Sequence, residues 1–474
     1  MKRFILPVML VLLASCDKTL TPEKGTGMQD QTSYYANVFA FNLMYTYYLW
    51  ADEVADGIRQ WTYDDDPIQK VASLRYRNTS GDLVDRWTEL MEDCSSFMSS
   101  ITGNGKTFGM DFVLLRNGEN GVVMEITYTY ADSPARIAGL KRGDVIRSVD
   151  GQELTLDNYA DLLTEKIYDF PGTVTLGMLE GNNVQLSAVE MYTDPVHVVK
   201  TLDVGGKKMG YLHFTNFTWE ASRELVEAFR QLKADGIEEL ILDLRYNSGG
   251  YSQTAQVLGS LIAPPSAVQS KAVFNKEMHN SRMSQSMSEE TRFSSSFTLE
   301  GIGTTLNTLE ANPGVKHLWV ITTGHSASAS ESLICGLYPY MDVTLVGSTT
   351  YGKFCGGYLI EAEKFYSALA DEDIDIDSAA GKKATIGWGL YVITSRYADC
   401  NGITRSMPSG IPADYFAEDD PRDGYDLGDP SESMLSAVLA LAAGQPASAA
   451  PARTKASLPQ PIPFHKPGFG VLLY

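Results

Sequence analysis

The chain has 474 residues, 44% hydrophobic and 20% charged, with a net charge of −21. That length predicts roughly two to four domains with ordinary packed cores. The acidic balance excludes nucleic acid, which needs basic patches, and excludes holding an anionic lipid surface by charge alone. The five cysteines, Cys16, Cys94, Cys335, Cys355 and Cys400, are scattered without a C-x-x-C pair. No metal site and no cofactor is expected from them; an oxidising compartment would allow disulfides, with no pairing fixed by spacing. The acidic runs Tyr63 to Pro67, Asp371 to Asp377 and Glu418 to Asp420 read as solvated loops, and none fits an EF-hand.

Lys2 and Arg3 precede an apolar run from Phe4 to Leu13, the layout of a processing signal. The run is too short for a permanent membrane span. It closes Leu13-Ala14-Ser15-Cys16, which resembles the bacterial lipobox. That resemblance implies a signal peptide at 1–15, acylation of Cys16 and a lipid-anchored place in the bacterial cell envelope. Residues 16–29 then read as a flexible tether.

Residues 30–104 are predicted to form a small N-terminal helical domain. Tyr34, Val38, Phe41, Leu43, Tyr47 and Leu49 recur at roughly helical spacing. Leu83 to Met98 gives a second predicted helix, with Leu83, Trp87, Leu90, Met91 and Cys94 on one side. Residues 105–194 turn to short β-rich runs. They contain Ser133-Pro134-Ala135-Arg136-Ile137-Ala138-Gly139-Leu140-Lys141-Arg142-Gly143-Asp144-Val145-Ile146, then Val149-Asp150-Gly151. This resembles the signature of PDZ domains of the bacterial protease type. By that resemblance the loop that binds a chain-terminal carboxylate falls on Phe108, Gly109, Met110, Asp111 and Phe112. A PDZ fold that only packs against its neighbours is the other reading.

Residues 195–445 hold the chemistry. Leu318 to Thr322 reads as a strand, and Glu331 to Leu337 as a helix; between them stands Ser326-Ala327-Ser328-Ala329-Ser330. A serine at such a junction sits beside free backbone N–H groups and the positive end of a helix dipole. Lys353, in Tyr351-Gly352-Lys353, follows 25 residues later. A Ser–Lys pair is one form of the serine hydrolase site. Ser328 to Glu331 also fits a plain capping box, and Lys353 and His325 also fit polar surface. Lys271 to Leu309 is expected to be mobile or irregular. Residues 446–474 form a Pro/Ala-rich tail that closes Gly470-Val471-Leu472-Leu473-Tyr474; two readings are a strap in the PDZ groove or on a sheet, and plain surface packing.

Three blocks resemble the C-terminal processing (tail-specific) serine proteases. They are Gly210-Tyr211-Leu212-His213-Phe214, then Leu240 to Gly250 with Asp243, Arg245 and Asn247, then Ser326 to Glu331 followed by Val346-Gly347 and Thr350-Tyr351-Gly352-Lys353. Gly410-Ile411-Pro412-Ala413-Asp414 matches the family's closing element. The resemblance implies an α/β, crotonase-like core of β-β-α units. It puts the nucleophile on Ser328, the general base on Lys353, and the oxyanion donors on the N–H of Ala329 and of a glycine in Gly249-Gly250. Asp243 and Arg245 are expected to brace the strand end. One position departs: the family often has glutamine four residues after the lysine, and here that residue is Gly357.

Lysine is a base only when neutral, so Lys353 needs burial to lower its pKa from about 10.4. Tyr351, Phe354 and Tyr358 are the expected apolar surroundings. The partners implied are protein or peptide substrates with accessible C-termini, and a membrane reached through Cys16. A non-catalytic peptide-binding lipoprotein on the same fold, or a scaffold, is the competing expectation.

Overall fold

Alternation along the strands builds the catalytic core. Lys207–Phe214, Glu239–Asp243, His317–Thr322 and Asp342–Gly347 pair in parallel, in that order. Val196–Val204 adds antiparallel at one edge and Tyr415–Phe416 in parallel at the other. Successive side chains point to opposite faces. Leu212, Leu240, Leu242, Leu318, Val320 and Leu345 therefore pack with the helices Ala221–Asp235, Ser252–Ile262 and Ala329–Leu337. Tyr211, Ile241, Trp319, Ile321 and Val346 pack on Met434, Leu435 and Val438 of the helix Ser433–Ala442. Covering both faces is what makes these strands nearly continuously apolar. The result is the expected α/β core.

The computed structural model describes residues 31–95, 97–98, 104–169, 172–285, 290–299, 303–371, 377–404, 409–445, 462 and 472–473. The signal peptide, Cys16 and the tether lie outside the described residues. Among those described, no helix is long and apolar enough to cross a membrane.

A second sheet lies against the N-terminal region. Its order is Gly250–Tyr251, Leu472–Leu473, Cys355–Glu361, Gly389–Ala398, Val273–His279 and Glu290–Arg292, with Glu89–Met91 also pairing with Gly389–Ala398. Two expectations are corrected here. Residues 30–104 are not a free-standing helical domain: Phe39, Met44, Trp87 and Leu90 share one core with Leu359, Phe365, Tyr366 and Tyr391. Nor is Leu83 to Met98 one helix. Asp85 accepts hydrogen bonds from the N–H groups of Trp87 and Thr88 at 3.0 Å, and the chain then runs as the strand Glu89–Met91. Local amphipathicity loses to strand addition because pairing with Gly389–Tyr391 buries Trp87 and Leu90 and fills the backbone hydrogen bonds together. The stretch from Lys271 is also more regular than expected, because Val273–His279 and Glu290–Arg292 extend this sheet and Ser296–Leu299 pairs with Thr304–Asn307.

The third module is PDZ-like. Its main path runs Met110–Asn117, Gly121–Thr129, Val145–Val149, Thr173–Met178 and Val184–Ser187. Asn104–Thr107 pairs with Val189–Tyr192 where the chain enters and leaves. Ser133 caps the helix Pro134–Ile137 by accepting from Arg136 N–H at 3.1 Å. Phe108 and Phe112, taken from sequence as carboxylate-loop residues, have their side chains in the module's core. Gly109 is held at φ +69°, and a Cβ there would meet Ser133 Cβ at 2.2 Å.

A buried charge cluster joins this module to the catalytic core. The Arg245 guanidinium, 0% exposed, donates to Asp243 at 2.7 and 3.0 Å, to Glu432 at 2.6 and 2.9 Å, and to Asp419 at 2.9 Å. Arg142 of the PDZ-like module donates to the same Asp419 at 2.6 Å and to the Tyr246 hydroxyl at 2.7 Å. Asp243 and Arg245 thus brace the strand end, and also tie it to the helix Ser433–Ala442 through Glu432, which caps that helix by accepting from Leu435 N–H. Removing one partner of a buried pair leaves uncompensated charge. Arg245→Leu should therefore lower stability by about 3–5 kcal/mol in urea unfolding; a loss within about 0.5 kcal/mol, the size of an ordinary surface change, would show that the cluster does not hold the core.

Candidate active site

Three serines, Ser326, Ser328 and Ser330, stand around the start of the helix Ala329–Leu337, and hydrogen bonding separates them. Ser326 Oγ donates to the Leu244 carbonyl at 2.8 Å, and Ser330 Oγ to the Asn247 carbonyl at 3.0 Å. Ala327 N–H also donates to the Asn247 carbonyl, at 3.1 Å. These bonds latch the turn onto the loop after Glu239–Asp243. Ser328 Oγ has no partner although the residue is fully buried. Its backbone is at φ +60°, ψ −107°, outside the regions a non-glycine residue ordinarily adopts. Such strain persists only where neighbours over-determine it, and it clusters at functional sites. The capping box is therefore only half made: Glu331 accepts from Ser328 N–H at 2.9 Å, while the serine hydroxyl is left out.

Glu331 does more than cap. One carboxylate oxygen accepts from Thr350 Oγ1 at 2.5 Å and Gly352 N–H at 2.8 Å. The other accepts from Ser328 N–H at 2.9 Å and Lys353 N–H at 2.8 Å. One buried carboxylate thus fixes the backbones of both expected catalytic residues. Burial pushes its pKa up, and the four donors oppose that. Tyr397 Oη lies 2.7 Å from the Ser328 carbonyl and 2.9 Å from that of Lys353, a second bridge between the same two residues.

Lys353 is 0% exposed. Its ammonium lies 3.2 Å from Tyr391 Oη and 4.9 Å from the ring centres of Trp87 and Tyr391. Burial lowers its pKa to about 8, against the pull of Asp85 and Glu331. The dry surroundings were expected from Tyr351, Phe354 and Tyr358. In the structure the rings over the amine are Trp87 and Tyr391, while Phe354 packs on Tyr397 with ring centres 4.1 Å apart. Arg86 stacks over Trp87 and Tyr351 at 4.9 and 4.8 Å and adds a like charge that disfavours the ammonium. Cys355 is buried, and its thiol is pushed up to about 12, so it stays protonated beside Lys353.

Gly357 has a steric cause. A Cβ there would lie 2.1 Å from the Val392 carbonyl oxygen, so a glutamine cannot occupy the position without moving the neighbouring strand. Tyr391, on that strand, supplies the polar contact to Lys353 instead.

Ala329 begins the helix, so its N–H has no acceptor within it. Gly249 N–H donates to Asn247 Oδ1 at 2.9 Å, which makes Gly250 the other candidate donor of the pair. Gly250 needs its φ of +136°, and a Cβ would meet the Phe217 carbonyl oxygen at 2.4 Å. The structure therefore brings Ser328, Lys353, Ala329 and Gly250 into one region, and leaves His325 on the exposed surface. Ser328 Oγ and Lys353 Nζ are not hydrogen-bonded to each other here. Sequence reasoning missed Trp87, Tyr391 and Tyr397, which carry no local motif; Glu331 was visible only as a cap. Among the described residues no cluster could hold a metal ion.

Comparison with known proteins agrees with this geometry. Residues 208–415 match peptidase family S41, and residues 125–166 match a PDZ domain. A carboxyl-terminal-processing protease of Synechocystis sp. is 25% identical over 375 residues, covering 77% of this chain and 75% of the relative. The carboxy-terminal processing protease CtpB of Bacillus subtilis is 28% identical over 265 residues, covering 54% of this chain and 48% of that protein. The match thus spans about half the length of the second relative. A crystal structure from Bacteroides fragilis NCTC 9343 assigned to the S41 proteases superposes with a TM-score of 0.61 at 19% identity, over 89% of this chain and 99% of that one; it supports the fold. The segment that holds the strained serine and the buried lysine is thus similar to the serine peptidases of family S41, with a PDZ-like domain before it.

Proposed function

We propose that the chain is an endopeptidase that cleaves protein C-terminal regions by a Ser328/Lys353 mechanism, with the substrate tail received by the PDZ domain. The observation that carries this reading is the shared carboxylate. Glu331 holds the backbones of a strained serine with a spare hydroxyl and of a buried lysine whose amine gives up its proton more readily than an exposed one.

Lowering the pKa from 10.5 to about 8 raises the neutral fraction at pH 7 from about 1 in 3000 to about 1 in 10. In the proposed cycle Ser328 Oγ attacks the scissile carbonyl carbon and its proton passes to Lys353 Nζ. The N–H groups of Ala329 and Gly250 receive the oxyanion. Collapse breaks the C–N bond, and the leaving amine takes the proton from the Lys353 ammonium. Water, activated by the same amine, then hydrolyses the ester. Before the first step Lys353 must leave Tyr391 for Ser328, a realignment common between resting and substrate-bound sites. The resting separation of the two groups also fits a peptide binder without turnover, and the first variant below decides between them.

On the same reading, Cys16 carries the lipid that holds the enzyme in the bacterial cell envelope. The support is the lipobox-like Leu13-Ala14-Ser15-Cys16 after an apolar run.

With an unstructured casein-like substrate, Ser328→Ala and Lys353→Met should each lower kcat by about 10⁴-fold or more, with the circular dichroism spectrum unchanged. His325→Ala should keep most of the activity. Turnover by Ser328→Ala equal to the parent's would leave the binder reading. The logarithm of kcat/KM should rise with pH and level off above about 8, because the free enzyme is active once Lys353 loses its proton; a flat profile between pH 6 and 9 would remove Lys353 as base. Cys16→Ser should move the protein from the detergent phase to the aqueous phase in a phase-partition assay, and continued detergent partition would exclude that anchor.

A further inference from the structure

The chain's own tail touches both surfaces that a peptide substrate would use. Leu472–Leu473 runs as a strand between Gly250–Tyr251 and Cys355–Glu361. Its register is parallel to both neighbours: Leu472 opposite Gly250, and Leu473 opposite Tyr251 on one side and Gly357 on the other. One neighbour contains the candidate oxyanion donor Gly250; the other begins two residues after Lys353. A strand-wide slot therefore lies across the mouth of the candidate site, and it is filled by this chain. Independently, Ile462 N–H donates at 2.9 Å to the carbonyl of Leu114, on Met110–Asn117 at the edge of the PDZ sheet, and Ile462 packs against that domain's core. Met110–Asn117 includes Met110, Asp111 and Phe112 of the segment expected to bind a chain-terminal carboxylate.

We propose that this slot is a peptide-binding site whose resident ligand is the chain's own tail, gripped at Ile462 by the PDZ edge and at Leu472–Leu473 by the catalytic sheet. Pairing of this kind recognises backbone. An exposed strand edge accepts any extended chain that satisfies its N–H and C=O groups, and side chains set only the preference. The ligand class is thus an extended, apolar peptide segment. Because the tail is covalently attached, its effective concentration is high, and it competes with incoming substrate without being consumed. The enzyme at rest is then held closed by a strand that substrate must displace. This inference rests on the peptidase reading for its kinetic consequence, but not for the binding itself.

Two measurements test it. The first compares the full chain with a version shortened after residue 461, and with Leu472→Pro, which removes a ladder N–H from the strand. Both variants should raise kcat/KM on an unstructured protein about tenfold, as release of a competitor bound nine-tenths of the time would. Unchanged kcat/KM in both overturns the proposal. The second measures anisotropy of a fluorescent synthetic peptide with the sequence of residues 462–474, added to the shortened chain carrying Ser328→Ala. Saturable binding supports the proposal, and its absence overturns it whether or not the protein is a peptidase. If no version cleaves anything, the peptidase reading fails alone, and the binding measurement still decides this one.

Discussion

The buried carboxylate of Glu331 is the constraint from which the site follows. It is bonded at once to the start of the helix Ala329–Leu337 and to the loop that carries Lys353, and Tyr397 bridges the same two segments through their carbonyls. Burying a carboxylate costs several kcal/mol even after relaxation. Hydrogen bonds to a charged acceptor return about 1.5–3 kcal/mol each, so the four donors recover much of that cost, although burial still leaves the pKa raised. The same four bonds hold the Ser328 backbone at positive φ and fix the loop that carries Lys353. Without this carboxylate, Ser328 N–H and Lys353 N–H would each lose an acceptor in a dry interior.

The same economy of charge operates at the junction of the two domains. Arg142 and Arg245 meet Asp243, Asp419 and Glu432, with Tyr246 donating to Asp419. The adjoining guanidinium groups hold Asp419 well below the usual carboxylate range. Because Arg142 belongs to the PDZ domain while Arg245 follows the central strand of the catalytic sheet, moving one domain against the other must separate buried charges. That makes the junction stiff. The PDZ domain and the strand end of the catalytic sheet are thus tied through the shared Asp419. Lys353 shows the opposite use of burial. Its amine has aromatic rings and a tyrosine hydroxyl close by rather than a close carboxylate partner, so desolvation prevails and the pKa falls to about 8, at about 3 kcal/mol of lost preference for the ammonium.

The catalytic strands, the helix after Ser328 and the PDZ signature were legible because each is contiguous. Leu318–Thr322 reads as a strand from its apolar run and Leu240–Asp243 belongs to a block that resembles the family's, and the structure pairs the two in parallel. Ser328 and Lys353 were named from short motifs. The N-terminal region was legible only in part. The helix Gln31–Tyr47 is there, but Leu83 to Met98 answered to a partner strand some three hundred residues away in sequence, and helical spacing alone could not anticipate it.

By itself, the sequence determined where apolar runs, glycines and hydroxyls stand, and so which strands can be buried and which turn can hold a strained serine. Tertiary structure decided which serine is left without a partner, which rings dry Lys353, why position 357 must be glycine, and which glycine N–H is already taken by Asn247. The physical reason is range. Periodicity and turn chemistry act over a few residues, whereas desolvation and hydrogen-bond satisfaction depend on whatever the fold brings within a few ångströms, and for Lys353 that meant Trp87 from far upstream and Tyr391 from the strand Gly389–Ala398.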